Sequence, residues 1–284
     1  MPGAPCLSFD VVKDGDGRQQ FPLSMLLCAG TQAETALKNR YSANISARHT
    51  VTHCGELSLA AVWSDKGQVE VFDLRPQLHA IHSSAAMATF VQQQKEATAL
   101  FSFSGHMSEG FAIDWSPKVF ASCSVDQSIR IWDIRAPPSS MLSADEAHSS
   151  DVNVISWNKS EPFLLSGGDD GLLKVWDLRQ FKTGRPVANF KQHCGPITSV
   201  EWSPMDSSVF AASGTDDVIS QWDLSVESCD VGARVEGVKD LPPQLLFLHQ
   251  GQSEIKEIHW HPQMPGVMIS TALSGFNVFR TISV

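Results

Sequence analysis

SGGDDGLLKVWDLR, at residues 166–179, recurs in two close copies elsewhere in the chain. The copy SCSVDQSIRIWDIR (122–135) precedes it, and the copy ASGTDDVISQWDL (212–224) follows it. All three align without gaps through a closing Trp-Asp, whose aspartates are 44 and 46 residues apart: Asp133, Asp177 and Asp223. A repeat of this period indicates an array of small similar units, each one supersecondary structure, rather than two unrelated domains.

A second landmark, a His followed by a Trp, runs in phase with the first. The pairs are His148 with Trp157, His193 with Trp202, and His249 with Trp260. Apolar and polar residues alternate between them, as in VNVISW, which predicts strands with one buried face joined by Gly-, Asp- and Ser-rich turns. Each unit is therefore predicted to be a small antiparallel sheet. Its tryptophans are expected at the end of the first strand (Trp115, Trp157, Trp202, Trp260) or on the third strand (Trp132, Trp176, Trp222).

These units resemble the WD repeat in spacing and in the closing Trp-Asp, and the resemblance implies an all-β WD40 β-propeller. One propeller domain is expected over 1–284, with four clear repeats at about 104–135, 146–180, 191–224 and 247–280. A degenerate blade is expected at about 45–75. An N-terminal partial blade (5–44) is expected to be completed by the C-terminal strand FNVFRTISV, because an open edge strand leaves backbone groups unpaired. The prediction is a ring of six blades.

Residues 77–97 interrupt the repeat pattern. Leu78, Ile81, Ala85 and Ala88 follow the spacing of one helix face, which predicts a short helical insertion. This helix either packs on the ring or binds a partner.

Longer stretches resemble one family in particular. DVNVISWNKSEPFLLSGGDDGLLKVWDLRQFK and LHQGQSEIKEIHWHPQMPGVMISTALSGFNVFRTISV are similar to the glutamate-rich WD-repeat proteins, which are related to the retinoblastoma-associated histone-binding propellers. The resemblance implies a nuclear and nucleolar protein concerned with ribosome assembly and histone handling, with seven blades.

The chain departs from that family pattern in three places. It begins almost at the first strand, where the family is expected to carry an N-terminal helix, and NRYSANISARHTVTHCG stands where a Glu-rich tract is expected. Trp115 and Asp126 are 11 residues apart, against 13 for Trp157 and Asp170. We therefore expect a shortened chain that lacks about one blade near residue 118.

The amino-acid composition indicates which class of partner the protein is expected to bind. The chain has 31 Asp and Glu against 21 Lys and Arg, for a net charge of −10, so binding of nucleic acid through a basic face is not expected and a basic protein partner fits better. Six cysteines are scattered without a CxxC pair, as in reduced intracellular proteins without a zinc framework. No signal peptide or membrane span is indicated. A monomer is expected, and the family resemblance implies that it lies in the nucleus or nucleolus.

One group of polar residues looks like a nucleophile, base and acid set: His148, Ser166 and Asp170 near Trp176. The WD resemblance implies instead a structural hydrogen-bond chain from the indole through hydroxyl and imidazole to carboxylate, because buried polar groups must find partners. The same chain is expected around Asp126 with Trp132. It is also expected at His193, Asp216 and Trp222, there without a hydroxyl because the position holds Ala212.

Other signals of an enzyme are absent from the sequence. It contains no GxSxG, Walker P-loop or GxGxxG motif, and the HxH of His259 and His261 lacks a third ligand nearby. We expect no catalytic residues, no cofactor and no metal.

The charge distribution points to one face of the propeller. Residues 143–224 hold 12 acidic and 6 basic residues, and in a propeller the turns that carry the His and the Asp open on the same face. We predict an acidic rim that steers a basic ligand such as a core histone or a ribosomal protein: Asp145, Glu146, Asp151, Asp169 and Asp217. The alternative is ordinary solvated turn charges.

Two further segments are candidate partner sites. LPPQLLFLHQG resembles the Pro-Pro loop with which histone-binding relatives clamp a histone helix, which implies a site at Asp240, Leu241, Pro242 and Pro243. A plain surface linker is the alternative. WDIR and WDLR match the WDxR pattern of cullin-4 ubiquitin-ligase substrate receptors, in which Arg135 and Arg179 contact the ligase adaptor or are simply solvated. The expected function is a non-enzymatic interaction scaffold or histone and ribosomal-protein chaperone, with the ligase receptor as the alternative.

Overall fold

The computed structural model describes residues 6–12, 26–31, 51–54, 58–63, 67–76, 85, 89, 99–116, 118–136, 138–226 and 241–281, the first three ranges as backbone only. The chain divides into two compact units, residues 1–143 and residues 144–284. Within the described ranges both units consist of antiparallel sheets, as the period-2 pattern predicts.

The described residues of the first unit form ten strands in three sheets. A two-stranded sheet pairs β1 (Cys6–Val12) with β2 (Leu26–Thr31). A four-stranded sheet follows in the order β3 (Val51–Cys54), β4 (Leu59–Trp63), β5 (Gln68–Asp73) and β6 (Phe101–Ser104). The next comprises β7 (Gly110–Ser116), β8 (Val119–Ser124), β9 (Ile129–Asp133) and β10 (Leu142–Ala144), in which the division between the units falls.

The second unit continues the same pattern. Its first sheet comprises β11 (Val152–Trp157), β12 (Phe163–Gly168), β13 (Leu173–Asp177) and β14 (Ala188–Phe190), with a 3-10 turn at Phe181–Thr183 before the last strand. Its second comprises β15 (Ile197–Trp202), β16 (Val209–Gly214), β17 (Ile219–Asp223) and β18 (Leu245–His249). The third has three strands, β19 (Glu257–Trp260), β20 (Val267–Ala272) and β21 (Gly275–Arg280).

The tryptophans lie where the sequence pattern predicts. Trp157, Trp202 and Trp260 end the first strands of their sheets, and Trp115 is the last residue but one of β7. The other three lie on third strands and are almost completely buried: Trp132, Trp176 and Trp222. The placement of these residues is therefore confirmed.

The fourth strand of each sheet lies outside the repeated sequence stretch. β14 occupies the segment between two repeats, and β18 spans the start of the repeat expected at 247–280. In these two sheets the repeat therefore supplies three strands and the connection to the next supplies the fourth. His249 consequently ends β18 instead of opening the last unit, and the prediction that it is a repeat histidine is wrong.

The described residues form six sheets. β21 pairs with β20, and β1 pairs with β2, so completion of the N-terminal blade by the C-terminal strand, and with it a closed ring of six blades, stays a prediction. The helical insertion predicted at 77–97 lies outside the described residues except for Ala85 and Thr89, where the Thr89 hydroxyl donates to the Ala85 carbonyl at 3.0 Å. Among the described residues, no helix is long and apolar enough to cross a membrane.

The double glycine of SGGDD is required by packing on both sides of the sheet. A Cβ on Gly167 would lie 2.5 Å from Cγ2 of Ile197 in the neighbouring sheet, and a Cβ on Gly168 would lie 2.9 Å from Nδ1 of His148. Both distances are shorter than nonbonded contact allows. Gly167 therefore allows the neighbouring sheet to pack closely, and Gly168 leaves space for His148 of the candidate site.

Candidate functional site

Three polar residues of SGGDDGLLKVWDLR, namely Ser166, Asp170 and Trp176, form a hydrogen-bond chain with His148. The indole of Trp176 donates to Oγ of Ser166 (2.9 Å), and Oγ lies 2.8 Å from Nε2 of His148. Nδ1 of His148 lies 3.0 Å from the carboxylate of Asp170, which also accepts the backbone N–H of Ser149 at 3.1 Å. Because the serine accepts from the indole, its own proton is available to Nε2, and the imidazole can donate from Nδ1 to the carboxylate.

A second chain of this kind lies in the first unit. His106 Nδ1 lies 3.1 Å from Asp126, its Nε2 lies 2.8 Å from Ser122 Oγ, and the indole of Trp132 donates to the same hydroxyl at 2.7 Å. Asp126 and Trp132 were predicted to be part of it, whereas His106 and Ser122 were missed. The signal for the histidine is its distance of nine residues before Trp115, which equals the spacing of the other repeats.

The third hydrogen-bond chain also contains a hydroxyl group. His193 Nδ1 lies 3.0 Å from Asp216, and both His193 Nε2 and the indole of Trp222 lie 2.8 Å from Oγ of Ser220. The prediction that Ala212 leaves one link missing is wrong. Ala212 and Ser220 are directly opposite each other on β16 and β17, so a hydroxyl on either strand reaches the same place.

The sheet of β19–β21 has a different arrangement. The hydroxyl of Ser270 donates to Oε1 of Gln252 at 2.8 Å, and Phe279 is paired with Met268, as Trp176 is with Leu164 in the sheet of β11–β14. The ring of His249 instead stacks on Phe279, with centroids 3.9 Å apart and planes 1° from parallel.

The environment of the chains keeps their carboxylates ionised. Burial by itself would raise the pKa of Asp170, but the hydrogen bond and the electrostatic interaction with His148, together with two backbone N–H groups, outweigh it and hold that pKa well below the usual value. The pKa of Asp216 is lowered in the same way by His193 and the backbone.

The geometry does not suit nucleophilic catalysis. Ser166 is 0% exposed and His148 is 2% exposed, so a substrate cannot reach the hydroxyl, which is already bonded on both sides. Nδ1 of His259 faces the Glu201 carboxylate at 3.4 Å, whereas Nδ1 of His261 accepts backbone N–H groups. In the described part of the chain, no group of three or more His, Cys, Asp or Glu is arranged to hold a metal ion.

The predicted acidic rim lies in the loops that surround these chains. Asp145, Glu146 and Asp151 precede β11, and the carbonyl of Asp151 accepts the N–H of Asp169 at 3.0 Å, so the first two rim turns adjoin. Asp169 accepts from the amide of Asn153 at 2.7 Å. The carboxylate of Asp217 accepts the backbone N–H of Glu254 at 2.7 Å, which links it to the loop before β19.

Charge is concentrated at this end of the second unit, which we call the rim end. The five loops at 145–151, 169–172, 191–196, 215–218 and 250–256 carry eight Asp and Glu against two Lys. Two of the eight belong to His–Asp pairs, and the remaining six include the five predicted residues together with Glu254.

The Pro-Pro loop and Arg179 lie at the opposite end of the second unit's sheets. The Pro-Pro loop enters β18 through a turn in which Leu245 N–H bonds to the Pro242 carbonyl at 3.0 Å, with Leu241 half exposed and Pro243 exposed. Asp240 lies outside the described residues. Because adjacent strands are antiparallel, the end of β17 and the start of β18 are both far from the rim turns. The rim and the Pro-Pro loop are therefore separate surfaces.

The two WDxR arginines are exposed but held in place. The guanidinium of Arg179 donates two bonds to Asp177, at 2.9 and 2.8 Å, and Arg135 binds Asp133 in the same way at 2.9 and 2.6 Å. Their side chains remain 66% and 65% exposed. Arg75 makes the same pair with Asp73 in the degenerate repeat, where the shared Asp-x-Arg spacing is the signal for it.

Comparison with known proteins places this architecture in a class. The family profile described as "WD domain, G-beta repeat" matches residues 97–133, 140–177 and 184–223, ending each time at the closing aspartate. A chain in the crystal structure of the mitotic checkpoint complex superposes with a TM-score of 0.66 at 19% identity, over 91% of this chain and 65% of that one. The fold is therefore that of a WD40 β-propeller.

Relatives of known name narrow the class further. Ribosome assembly protein rrb1 of Schizosaccharomyces pombe is 33% identical over 379 residues, covering 98% of this chain and 78% of that protein. Glutamate-rich WD repeat-containing protein 1 of Dictyostelium discoideum is 33% identical over 382 residues, with the same coverages, and Protein HEAT STRESS TOLERANT DWD 1 of Arabidopsis thaliana is 33% identical over 408 residues, with 99% and 85% covered.

The chain belongs to the family of glutamate-rich WD repeat-containing proteins. Each alignment is longer than the 284 residues of the chain, so the relatives contain segments without a counterpart here. The expectation of a shortened member is confirmed, while the number of blades stays a prediction.

The facing positions 212 and 220 provide a test of the third hydrogen-bond chain, because a hydroxyl at either position should serve. Ser220→Ala leaves His193 Nε2 and the Trp222 indole without this partner and should lower the free energy of unfolding by about 1–3 kcal/mol, measured by denaturant unfolding. Adding Ala212→Ser should restore most of the loss, because position 212 faces position 220. A double variant as unstable as the single one would contradict this account.

The lowered pKa of Asp170 predicts the direction of the pH dependence. The stability that this carboxylate contributes is fully present above its unfolded-state pKa of about 4 and is lost as the pH falls through that value toward the lower folded-state pKa. The melting temperature should therefore fall more steeply below about pH 4 in the unaltered chain than in Asp170→Asn, which should melt lower at pH 7. Parallel melting curves for the two proteins would rule out this role.

Proposed function

We propose that this protein is a non-enzymatic interaction scaffold that binds basic proteins through the acidic rim and acts in ribosome assembly in the nucleus and nucleolus. Ribosomal proteins and core histones are the clients of suitable charge. The observation that carries the proposal is the concentration of eight acidic residues against two lysines in the rim-end loops.

The way in which the rim carboxylates are held supports this role. Asp169 and Asp217 accept hydrogen bonds from an amide and from a backbone N–H, which orient them without neutralising their charge. Glu146 is exposed and adds to the same field. Carboxylates gathered at one end of a protein attract a cationic partner over about a Debye length of 8 Å and raise the rate of encounter.

The family supports the biological setting. The Schizosaccharomyces pombe relative is named as a ribosome assembly protein, and this chain covers 78% of its length. The net charge of −10 suits a protein that handles cationic clients. The burial of the His–Ser–Asp chains supports a scaffold without catalytic chemistry.

Charge reversal at the rim tests the proposal. Glu146→Lys combined with Asp169→Lys should weaken binding of core histones or a ribosomal protein at least about tenfold at low salt, because attraction becomes repulsion. The measurement is calorimetric titration at low and physiological salt, where binding to the unaltered chain should also weaken as salt rises.

The matched control reverses charge at the opposite end. Glu161 is exposed in the turn between β11 and β12, so Glu161→Lys with Asp206→Lys changes the net charge equally but should leave client affinity within about twofold. Equal losses in the two double variants would show that net charge alone matters and would refute the rim as the site.

A second candidate function has its own structural support. Arg135 and Arg179 are about two-thirds exposed and are each fixed by two bonds to an aspartate, so their guanidinium groups are pre-organised on the surface. Pre-organised arginines lose little conformational entropy on binding and are common interface anchors. This arrangement suits contact with the adaptor of a cullin-4 ubiquitin ligase.

The two functions separate in one experiment. Arg135→Ala with Arg179→Ala should abolish binding of purified ligase adaptor while leaving client binding at the rim unchanged, as measured by pull-down and calorimetry with the same preparation. Asp133→Asn with Asp177→Asn is the companion variant, which keeps the arginines but releases them and should weaken adaptor binding. Adaptor binding that survives the loss of both arginines would eliminate this candidate.

A further inference from the structure

The connection between β13 and β14 concentrates positive charge in an acidic protein. Residues 178–187, which we call the basic turn, contain Arg179, Lys182 and Arg185 and no Asp or Glu, and no acidic residue follows until Glu201. All three basic residues are exposed, at the end of the sheet opposite the rim. In a chain with a net charge of −10, this local reversal of charge indicates a surface for an anionic partner.

The repeat itself accounts for only the first of these cations. Arg179 forms the ion pair with Asp177 that recurs in other repeats. The corresponding connection after β9, residues 134–141, contains a single charged residue, the arginine of that pair. Lys182 and Arg185 have no counterpart there, so the fold of the repeat does not explain them.

The backbone of the basic turn is held in one conformation. Phe181 is 1% exposed, and its ring centroid lies 5.6 Å from that of Trp176. Gly184, with a φ of 65°, donates its N–H to the Phe181 carbonyl at 3.0 Å, and the N–H of Arg185 donates to Oγ1 of Thr183 at 3.2 Å. Cations on an ordered backbone lose less conformational entropy on binding than cations on a flexible loop.

We infer that the basic turn is a second docking surface of the protein, which binds an Asp- and Glu-rich segment of a partner protein. The guanidinium of Arg185 suits bidentate contact with a carboxylate, and Lys182 adds a second positive charge three residues away. Arg179 contributes to the same field, although Asp177 offsets part of its charge. The inference does not depend on the proposed function, because the rim lies at the other end of the sheets.

An acidic protein segment fits this surface better than nucleic acid or a second copy of the chain. Specific nucleic-acid binding commonly neutralises about 6–10 phosphates, whereas the basic turn offers three cations in a chain whose net charge repels a long polyanion. A second copy would bring its acidic rim to the basic turn, and such a head-to-tail contact does not close into a symmetric dimer. A short acidic segment can confine its charge to the basic turn.

The test uses a fluorescein-labelled peptide of about ten residues in which Glu alternates with Gly. The unaltered chain should bind this peptide at low salt and more weakly as salt rises. Lys182→Glu with Arg185→Glu should lower the affinity at least about tenfold in fluorescence anisotropy, equivalent to about 1.4 kcal/mol, because attraction becomes repulsion. Lys182→Gln with Arg185→Gln removes the charges without reversing them and should give a smaller loss.

The matched control makes the same change of charge at the rim end. Lys191 and Lys256 are exposed in the rim-end loops, so Lys191→Glu with Lys256→Glu should leave the affinity for the Glu peptide within about twofold. All four altered side chains lie on the surface, so both Glu variants should keep the melting temperature of the unaltered chain.

The outcomes separate this inference from its alternatives and from the proposed function. Absence of binding by the unaltered chain at low salt, or equal losses in the two Glu variants, would overturn the basic turn as a site. Tighter binding of a single-stranded oligonucleotide of equal charge, or self-association in sedimentation, would also overturn it if Lys182→Glu with Arg185→Glu abolished that interaction. Failure of Glu146→Lys with Asp169→Lys to weaken binding of basic clients would refute the rim and leave the basic turn standing.

Discussion

Every buried hydrogen-bonding group in these sheets needs a partner, and this requirement organises the molecule. Three buried polar groups lie away from water: the indole of Trp176, the hydroxyl of Ser166 and the imidazole of His148. Each provides the hydrogen-bond partner that its neighbour needs. The chain ends at Asp170, which also accepts backbone N–H groups from two turns. This buried network therefore fixes two of the loops that form the rim, 145–151 and 169–172.

Tryptophan serves a second purpose between sheets. The indole of Trp202 donates to the Ser156 carbonyl at 3.0 Å, and that of Trp260 donates to the Glu201 carbonyl at 3.2 Å, each reaching the preceding sheet. Third-strand tryptophans join turns within a sheet, whereas first-strand tryptophans join neighbouring sheets. Tryptophan suits both positions because its large apolar ring fills volume while its single N–H donor satisfies a buried oxygen, a serine hydroxyl on the third strand or a carbonyl in the preceding sheet.

The sequence predicts features that are local and that recur along the chain. It does not predict features that depend on which strands pair and in which register. The repeat, its strands and the Trp positions follow from spacing, and the His148 chain follows from the resemblance to the WD repeat. Ser220 is not evident from sequence, because its hydroxyl replaces that of Ser166 only through the register that sets position 220 opposite position 212. His249 misleads because it keeps the residue type of the repeat but lies on a fourth strand, where it stacks on Phe279.

The position of negative charge follows from what each carboxylate binds. Asp177 faces a guanidinium, so its charge is largely cancelled at the end opposite the rim. Asp169 and Asp217 bind neutral N–H groups, which hold a carboxylate in place while leaving its charge to act on the surroundings. The charge of Asp177 is thus neutralised at one end of the sheets, whereas the charges of Asp169 and Asp217 are left active at the other. Patterns of net charge along the sequence cannot reveal this difference, because it depends on the partner that the fold supplies.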